Sequence, residues 1–391
     1  MEYDPYSYEL DADPYPVYRG MRAHEPAYYN ERLDFWALTR FDDVLEAFLD
    51  WRRYSSARGT VLELMDKDVS GPLIIFMDPP RQTRIRNLVS KAFTPRRIAE
   101  LEPQIRAIAA EHLDRLVGCS GFDVVKEFTA RLPMDVISAL LGIPPEDRDE
   151  VRGWSNDILH RDPGNPDPPQ RALEAMGHLS RYFREALIER RRHPREDMMT
   201  LLTQAELPGE VGPERLSDLE IQSFFNLLAT AGNETVTKLL ATALYWLARN
   251  PGERRILMAE PGAIPGAVEE TLRYDPPSHY QGRTTTEPVE LHGRKLPRGA
   301  RVLLINGATG RDERRFPDPD RFDVRREIDL HLGFGHGQHI CLGASLARLE
   351  SRIALEEFFR RFGEYDAPEE GVERMHSSNV RGFSGLQLVF P

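Results

Sequence analysis

The sequence predicts a mainly α-helical protein with a minor, separate β portion. Apolar residues recur at helical spacing over residues 95–117, 132–141, 217–250 and 264–274. Strand signals are shorter and fewer, and the best of them lie at 34–39, 289–291, 301–305 and 386–390. Because no internal repeat or linker divides the chain, we expect a single domain over residues 1–391.

The composition argues against several classes of protein. The 391 residues are 40% apolar, enough for a substantial core, and their net charge of −12 argues against nucleic acid as a partner. Two cysteines, Cys119 and Cys341, are too few for a disulfide framework. The acidic start of the chain and the polar residues within its longest apolar segment argue against a signal peptide and a membrane span. We therefore expect a soluble cytoplasmic protein.

Two loop-rich stretches, 161–169 and 208–213, flank a predicted helix over residues 171–192. A helix between two such connections is placed to act as a lid over a binding site.

One long helix is predicted between Ser217 and Asn250. Ser217 and Glu220 form a capping-box signature, and Pro251 is a stop, so the helix runs for about thirty residues. A glycine and polar residues interrupt its centre, over residues 231–235, and such residues cost helix stability. This segment is either a groove that offers a hydroxyl and a carboxylate to a small molecule, or a kink with a solvated Glu234.

Glu270 and Arg273 lie three residues apart on the predicted helix 264–274. On their own they are typical of an ordinary ion pair on an exposed helix face.

Cys341 lies in a glycine-rich segment, residues 334–343, that is followed at once by an amphipathic helical pattern. The thiol is therefore expected at a helix N-terminus, where the helix dipole favours the thiolate, and the three glycines leave space for a flat, bulky group. Three interpretations fit this segment: a haem ligand, a cysteine nucleophile with a histidine base, or a zinc site. The zinc site would use Cys341 with His331, His336 and His339.

Four motifs in order along the chain give it a resemblance that covers nearly its whole length. They are Ala231-Gly232-x-Glu234-Thr235, Glu270-x-x-Arg273, the segment from Phe316 to Phe322, and Phe334-Gly335-x-Gly337-x-His339-x-Cys341-x-Gly343. With them the chain resembles the cytochrome P450 haem-thiolate monooxygenases, and more closely the soluble bacterial members. The resemblance implies the fold of that family, an α-rich triangular prism with a small β-rich lobe, and no fused reductase.

The resemblance also implies roles for individual residues. Haem b is the cofactor, and Cys341 is the axial ligand of its iron. Glu234 and Thr235 are the acid–alcohol pair that delivers protons during oxygen activation. Glu270, Arg273 and Arg321 form a buried structural ion network. The remaining cofactor-binding positions are Gln82, Arg86, Ala231, Arg283, Phe334, His339 and Gly343, with Gln82 standing where a histidine is commoner.

The implied reaction inserts one atom of O2 into an apolar small molecule, by hydroxylation or epoxidation. Apolar residues over 61–76 and the polar run Ser278 to Gln281 would line the pocket, which suggests a steroid, terpenoid or polyketide.

Electrons would come from NAD(P)H through a separate ferredoxin reductase and ferredoxin, and the protein would be a monomer. A peroxide-driven enzyme and a non-catalytic haem-thiolate sensor stay open as alternatives. A basic docking patch for the electron donor would be formed by Arg96, Arg97, Arg325, Arg326, Arg348 and Arg352.

Overall fold

The computed structural model describes residues 2–65, 67, 72–160, 167–207 and 214–391. Helices make up most of this part of the chain. Their bounds are α1 (Tyr8–Ala12), α2 (Tyr15–His24), α3 (Phe41–Leu49), α4 (Arg81–Val89), α5 (Pro95–Ala99), α6 (Glu102–Asp114), α7 (Arg131–Leu141), α8 (Arg148–Leu159), α9 (Gln170–Arg192), α10 (Met198–Gln204), α11 (Asp218–Arg249), α12 (Pro251–Ala259), α13 (Ile264–Tyr274), α14 (Asn306–Thr309) and α15 (Ala344–Arg361).

The strands are short and lie mostly outside the helical core. They are β1 (Ala27–Asn30), β2 (Phe35–Leu38), β3 (Tyr54–Ser55), β4 (Gly121–Asp123), β5 (Glu206–Leu207), β6 (Glu214–Arg215), β7 (Gln281–Thr285), β8 (Val289–Leu291), β9 (Arg294–Leu296), β10 (Arg301–Leu304), β11 (Val372–Arg374) and β12 (Phe383–Val389). The largest sheet has the order β1-β2-β10-β7-β3, and only its β10–β2 pair is parallel. The predicted class, mainly α with a minor β portion, is confirmed.

Helix α11 runs through the middle of the helical core. The capping box is formed in full: the Ser217 hydroxyl accepts the N–H of Glu220, and the Glu220 carboxylate accepts the N–H of Ser217. Its 32 residues span about 48 Å and pack against α7, α8, α9, α13 and α15. This helix therefore connects the regions that carry the other motifs.

The helix predicted over residues 95–117 is in fact two helices, α5 and α6. Pro103 lies in the first turn of α6, where a missing N–H costs little, but in a continuous helix its ring would clash with the preceding turn. The bounds predicted for the other helices agree with the observed bounds to within one residue.

The predicted lid helix is present as α9, but residues 161–166 and 208–213 of its flanking loops lie outside the described part of the chain. Within the described ranges, none of the helices combines the length and the apolar character needed to cross a bilayer.

Candidate active site

The cysteine loop, residues 334–343, is held by its own backbone and by α3. The N–H of Cys341 donates to the carbonyl of Phe334 at 2.9 Å, which closes the loop. Gly335 and Gly337 have φ values of 67° and 68°, the left-handed region that favours glycine. A Cβ on Gly337 would also lie 2.4 Å from the carbonyl oxygen of Phe48. Both glycines therefore serve the turn, and Gly337 also allows its close packing on α3, whereas the position of a Cβ on Gly335 is open to 3.9 Å.

Helix α4 fixes the same loop from the opposite side. The buried Gln82 donates from Nε2 to the carbonyl of Gln338 at 2.7 Å, and Arg86 donates to the carbonyl of Ile340 at 2.6 Å. The side chain of Gln82 is thus engaged with the loop backbone, which makes it a loop anchor in this structure rather than a cofactor contact.

The environment of Cys341 does not favour the thiolate as the helix position alone predicted. Cys341 keeps accessible surface, but its sulfur lies well inside the fold, and this burial raises the pKa of the thiol. A hydrogen bond from the Gly343 backbone and the charges of Arg86 and Arg348 lower that pKa and offset part of the effect. Helix α15 begins only at Ala344, so just one backbone N–H of its start reaches the sulfur. A cation bound to the sulfur would supply the missing stabilisation of the thiolate.

Arg86, Arg283 and His339 lie together beside the loop, and the two arginines give this pocket its positive charge. Arg283 on β7 is buried, and among the residues described its side chain donates to the carbonyl of Gly282 alone. Burial lowers the pKa of Arg283 to about 10, and it lowers the pKa of His339 to about 3, with further lowering from Arg283 and Arg86. Within the described ranges neither arginine forms an ion pair, and Nε2 of His339 is buried without a hydrogen-bond partner. Asp78 raises the pKa of Arg283 without forming an ion pair with it, so an incoming carboxylate could pair with both arginines and would favour the protonated form of His339.

The centre of α11 presents a small, accessible face inside a helix that is otherwise largely buried. Ala231 is exposed and Thr235 half-buried, and the Thr235 hydroxyl donates to the Ala231 carbonyl at 2.9 Å, as the spacing predicted. Glu234 is not solvated: it is buried and pairs with Lys238 at 3.0 Å. The interruption is therefore a small accessible face at Ala231 and Thr235 within a continuous helix, and Gly232 beside it packs against Ile137 of α7.

The ion network behind the site is centred on Glu270 and Arg273, both fully buried. Two hydrogen bonds of 2.6 and 2.7 Å join the guanidinium to the carboxylate. The side chain of Arg321 lies outside this network: it is 65% exposed and lies 3.7 Å from Asp323, while only its carbonyl accepts from Arg273. Arg326 takes the predicted place, 3.4 Å from Glu270. No local pattern distinguishes the two arginines as partners of Glu270, because the choice depends on how this segment packs against α13.

Part of the predicted substrate lining belongs to the core. Tyr280 is fully buried and accepts the N–H of Leu62 at 3.1 Å, while the buried His279 is hydrogen-bonded to Tyr18 at 3.0 Å. Neither is a polar anchor for a substrate. Ser278 and Gln281 are half-buried and stay candidates. In the segment 61–76, three of the predicted lining residues belong to the core: Leu62, Met65 and Ile74. Five others keep partial exposure and can still line a pocket: Val61, Leu64, Leu73, Ile75 and Phe76. Residues 66 and 68–71 lie outside the described part of the chain.

The predicted basic patch is largely neutralised by glutamates. Only Arg97 of the six arginines has no ion pair among the residues described. The other five pair as Arg96–Glu100, Arg325–Glu260, Arg326–Glu270, Arg348–Glu269 and Arg352–Glu102.

The two alternatives for Cys341 gain no support from the geometry. His331 donates to Glu269 rather than facing the sulfur, and in the described ranges no three His, Cys, Asp or Glu side chains are grouped to hold a metal ion. Nor does any histidine there form a hydrogen bond with the thiol. The sulfur is left as a single ligand donor, which suits a metal held mainly by a cofactor.

Comparison with known proteins agrees with this geometry. A family model described as Cytochrome P450 matches residues 264–385. A putative cytochrome P450 123 of Mycobacterium tuberculosis is 45% identical over 98% of this chain and 96% of its own. The structure of CYP109Q5 from Chondromyces apiculatus superposes with a TM-score of 0.91, at 36% identity, covering 99% of this chain and 97% of that one. CYP109E1 from Bacillus megaterium, solved in complex with corticosterone, gives a TM-score of 0.87 at 32% identity, covering 97% and 99%.

A glycine-rich cysteine loop, two arginines beside it without ion pairs in the described ranges, and a continuous central helix with an accessible small-residue face are together typical of a haem-thiolate enzyme. The chain belongs to the cytochrome P450 family, whose members are monooxygenases. The family implies haem, and the residues fit it: the unpaired Arg86 and Arg283 and the orphaned Nε2 of His339 suit two propionates, and Cys341 offers a sulfur ligand.

Proposed function

We propose that this protein inserts one atom of O2 into an apolar small molecule, by hydroxylation or epoxidation. The observation that carries the proposal is that Arg86 and Arg283, beside His339 and Cys341, form no ion pair in the described structure, while Nε2 of His339 is buried without a hydrogen-bond partner. Haem b supplies the two carboxylates for this pocket and, when bound, the chemistry of oxygen activation. Ala231, Phe334 and Gly343 would contact the porphyrin, and Cys341 would ligate its iron.

Thr235 and Glu234 would serve proton delivery. The Thr235 hydroxyl donates to the Ala231 carbonyl, so its lone pairs are free to accept a proton donor on the accessible face of α11. Glu234 is the nearest acid along the helix, but its carboxylate is held by Lys238. Transfer from Glu234 to Thr235 would therefore need a bridging water or a turn of the carboxylate away from Lys238.

The substrate would lie against the same face of α11. Leu227 and Leu228 are half-buried there, one turn before Ala231, and α9 with α10 would cover them as a lid. A predominantly apolar surface with few polar groups suits a steroid, a terpenoid or a polyketide. The corticosterone complex of the Bacillus megaterium relative supports a steroid within this set.

Electrons would come from NAD(P)H through a ferredoxin reductase and a ferredoxin, because the chain carries no flavin or nicotinamide motif. We propose that residues 1–391 form one cytoplasmic, monomeric domain that acts without membrane or nucleic acid.

The decisive experiment is the difference spectrum of the reduced, carbon-monoxide-treated protein. The red-shifted Soret band of a haem thiolate is expected for the wild type and its loss for Cys341→His. Incubation with surrogate ferredoxin components and a panel of steroids, terpenoids and polyketides should then give product that depends on O2. Absence of the red-shifted band in the wild type would refute the haem-thiolate assignment. Product with peroxide alone would indicate a peroxygenase, and ligand binding without product a sensor.

A further inference from the structure

Three side chains form a hydrogen-bonded row beside the cysteine loop: Arg348 on α15, Glu269 on α13 and His331 just before the loop. Arg348 donates from Nε and from a terminal nitrogen to the two Glu269 oxygens, at 2.7 and 2.9 Å. His331 Nε2 lies 2.9 Å from the second of these oxygens. A bidentate pair of this kind fixes the orientation of the guanidinium as well as its position.

The protonation of this row follows from its hydrogen bonds. The N–H of Gly333 donates to Nδ1 of His331 at 3.1 Å, so Nε2 carries the proton and donates to Glu269. Burial alone would raise the pKa of Glu269, but the hydrogen bonds from His331 and Arg348 and the charge of Arg348 hold it at about 2. Near neutral pH, Glu269 is therefore an ionised carboxylate that holds Arg348 in place.

Arg348 is also coupled to Cys341. Its guanidinium carbon lies 4.6 Å above the ring centroid of Phe334, whose carbonyl accepts the N–H of Cys341. The charge of Arg348, with that of Arg86, lowers the pKa of the Cys341 thiol, as expected for a cation that packs on this loop. Arg348 is thus the member of the row whose charged group packs on a residue of the cysteine loop, and Glu269 holds it there.

We infer that Arg348, positioned by Glu269 and His331, sets how strongly the Cys341 sulfur donates electron density, and hence the reduction potential of the haem iron. Arg348 is a positioning and tuning residue, not a catalytic one. The inference rests on the proposed haem-thiolate function. A cation near the ligand favours addition of one electron to the iron, and a carboxylate beside that cation weakens the effect.

The test is a one-electron redox titration of the haem-loaded protein with dithionite and a mediating dye, which needs no substrate or turnover. Arg348→Gln should shift the potential in the negative direction, because the cation is lost. Glu269→Gln should shift it in the positive direction, because the cation loses its counter-charge. Each shift should correspond to a several-fold to about tenfold change in the reduction equilibrium, up to about 59 mV for a one-electron couple. The double variant should lie between the two single variants.

Two further variants separate tuning from general effects. Arg348→Lys keeps the charge and should shift the potential less than Arg348→Gln. Arg352→Gln removes the same charge one turn later, from an arginine that pairs with Glu102 and does not act on the thiol, and should leave the potential unchanged.

Shifts of the same sign in Arg348→Gln and Glu269→Gln would overturn the inference, because a merely loosened loop has no reason to respond with opposite signs. Unchanged potentials in both variants would overturn it as well. If Arg348→Gln does not bind haem, the absence of a positive shift in Glu269→Gln is sufficient to reject the inference.

These results require a wild type with the red-shifted carbon monoxide band. A wild type without that band refutes the proposed function itself, and the two failures are thereby distinguishable.

Discussion

Nζ of Lys238 lies 3.0 Å from a carboxylate oxygen of Glu234, one turn earlier on α11, and the same ammonium donates to the carbonyl of Phe383 at 2.9 Å. Both side chains are buried. Successive residues of a helix point about 100° apart, so this pair holds the acid on a different face from the Thr235 hydroxyl. The two members of the expected acid–alcohol pair are therefore adjacent in sequence but bonded to different partners.

Lys238→Gln should destabilise the protein, because it leaves the Glu234 carboxylate buried without its cation. Loss of one partner of a buried ion pair typically costs about 3–5 kcal/mol. The free energy of unfolding from denaturant titration measures the effect. Lys238→Arg keeps the charge and serves as the control. Equal stability of the glutamine variant and the wild type would show that the pair does not compensate the burial of Glu234.

Thr235→Ala should keep substrate binding but divert reducing equivalents from product to hydrogen peroxide. The hydroxyl lies on the accessible face of α11, and its loss removes a group that can pass a proton there. The ratio of product formed to NAD(P)H consumed measures this coupling. Thr237→Ala is the matched control, because its buried hydroxyl makes the same kind of bond, to the Asn233 carbonyl. Unchanged coupling in Thr235→Ala would exclude the proposed role.

Glu270→Gln should lose haem incorporation or fold poorly, with a cost of about 3–5 kcal/mol, since it leaves the fully buried Arg273 without its anion. Arg321→Ala should change the free energy of unfolding by no more than about 0.5 kcal/mol, because its side chain is exposed and contributes to the network only through its backbone. Haem content and denaturant unfolding measure both. A large loss in Arg321→Ala would contradict the network described for this structure.

Acid should remove the stability contributed by Glu269. Its pKa is about 2 in the folded protein, against an ordinary value of 4.5, because the hydrogen bonds from His331 and Arg348 outweigh burial. A carboxyl with a depressed folded pKa stabilises the fold above its unfolded pKa and loses that contribution as pH falls through the folded one. The difference in free energy of unfolding between wild type and Glu269→Gln should be constant above about pH 5.5. It should shrink between about pH 4.5 and 2, and a difference independent of pH would contradict this ionisation.

Reduction by a ferredoxin should depend only weakly on ionic strength. Five of the six arginines expected to form a docking patch are paired with glutamates, so little unbalanced charge is available to steer an acidic partner. Rates of reduction at increasing salt measure this dependence, with Arg97→Gln testing the unpaired arginine. A steep fall in rate with salt would show that partner binding opens these ion pairs.

Local signals in the sequence predicted the elements that depend on local physics. The capping box at Ser217 and Glu220, the stop at Pro251 and the periodicity of α13 each involve neighbours along one helix, and each predicted its bounds well. Predictions that required a choice between distant partners were less accurate. Arg321 lies in the 316–322 motif and Arg326 outside it, yet the packing of this segment against α13 places the side chain of Arg326, not that of Arg321, beside Glu270.

The sequence by itself determined the family, the helical class and the residues able to carry the chemistry, because the motifs around Cys341, Thr235 and Glu270 are local and their order is specific. Only the tertiary structure decided how those residues are partnered. In the folded protein Glu234 pairs with Lys238, and Gln82 donates a hydrogen bond to the backbone of the cysteine loop. Arg348 lies where its charge lowers the pKa of the Cys341 thiol. Burial and distance determine the strength of a charge or a hydrogen bond, and both arise only when separate elements pack together.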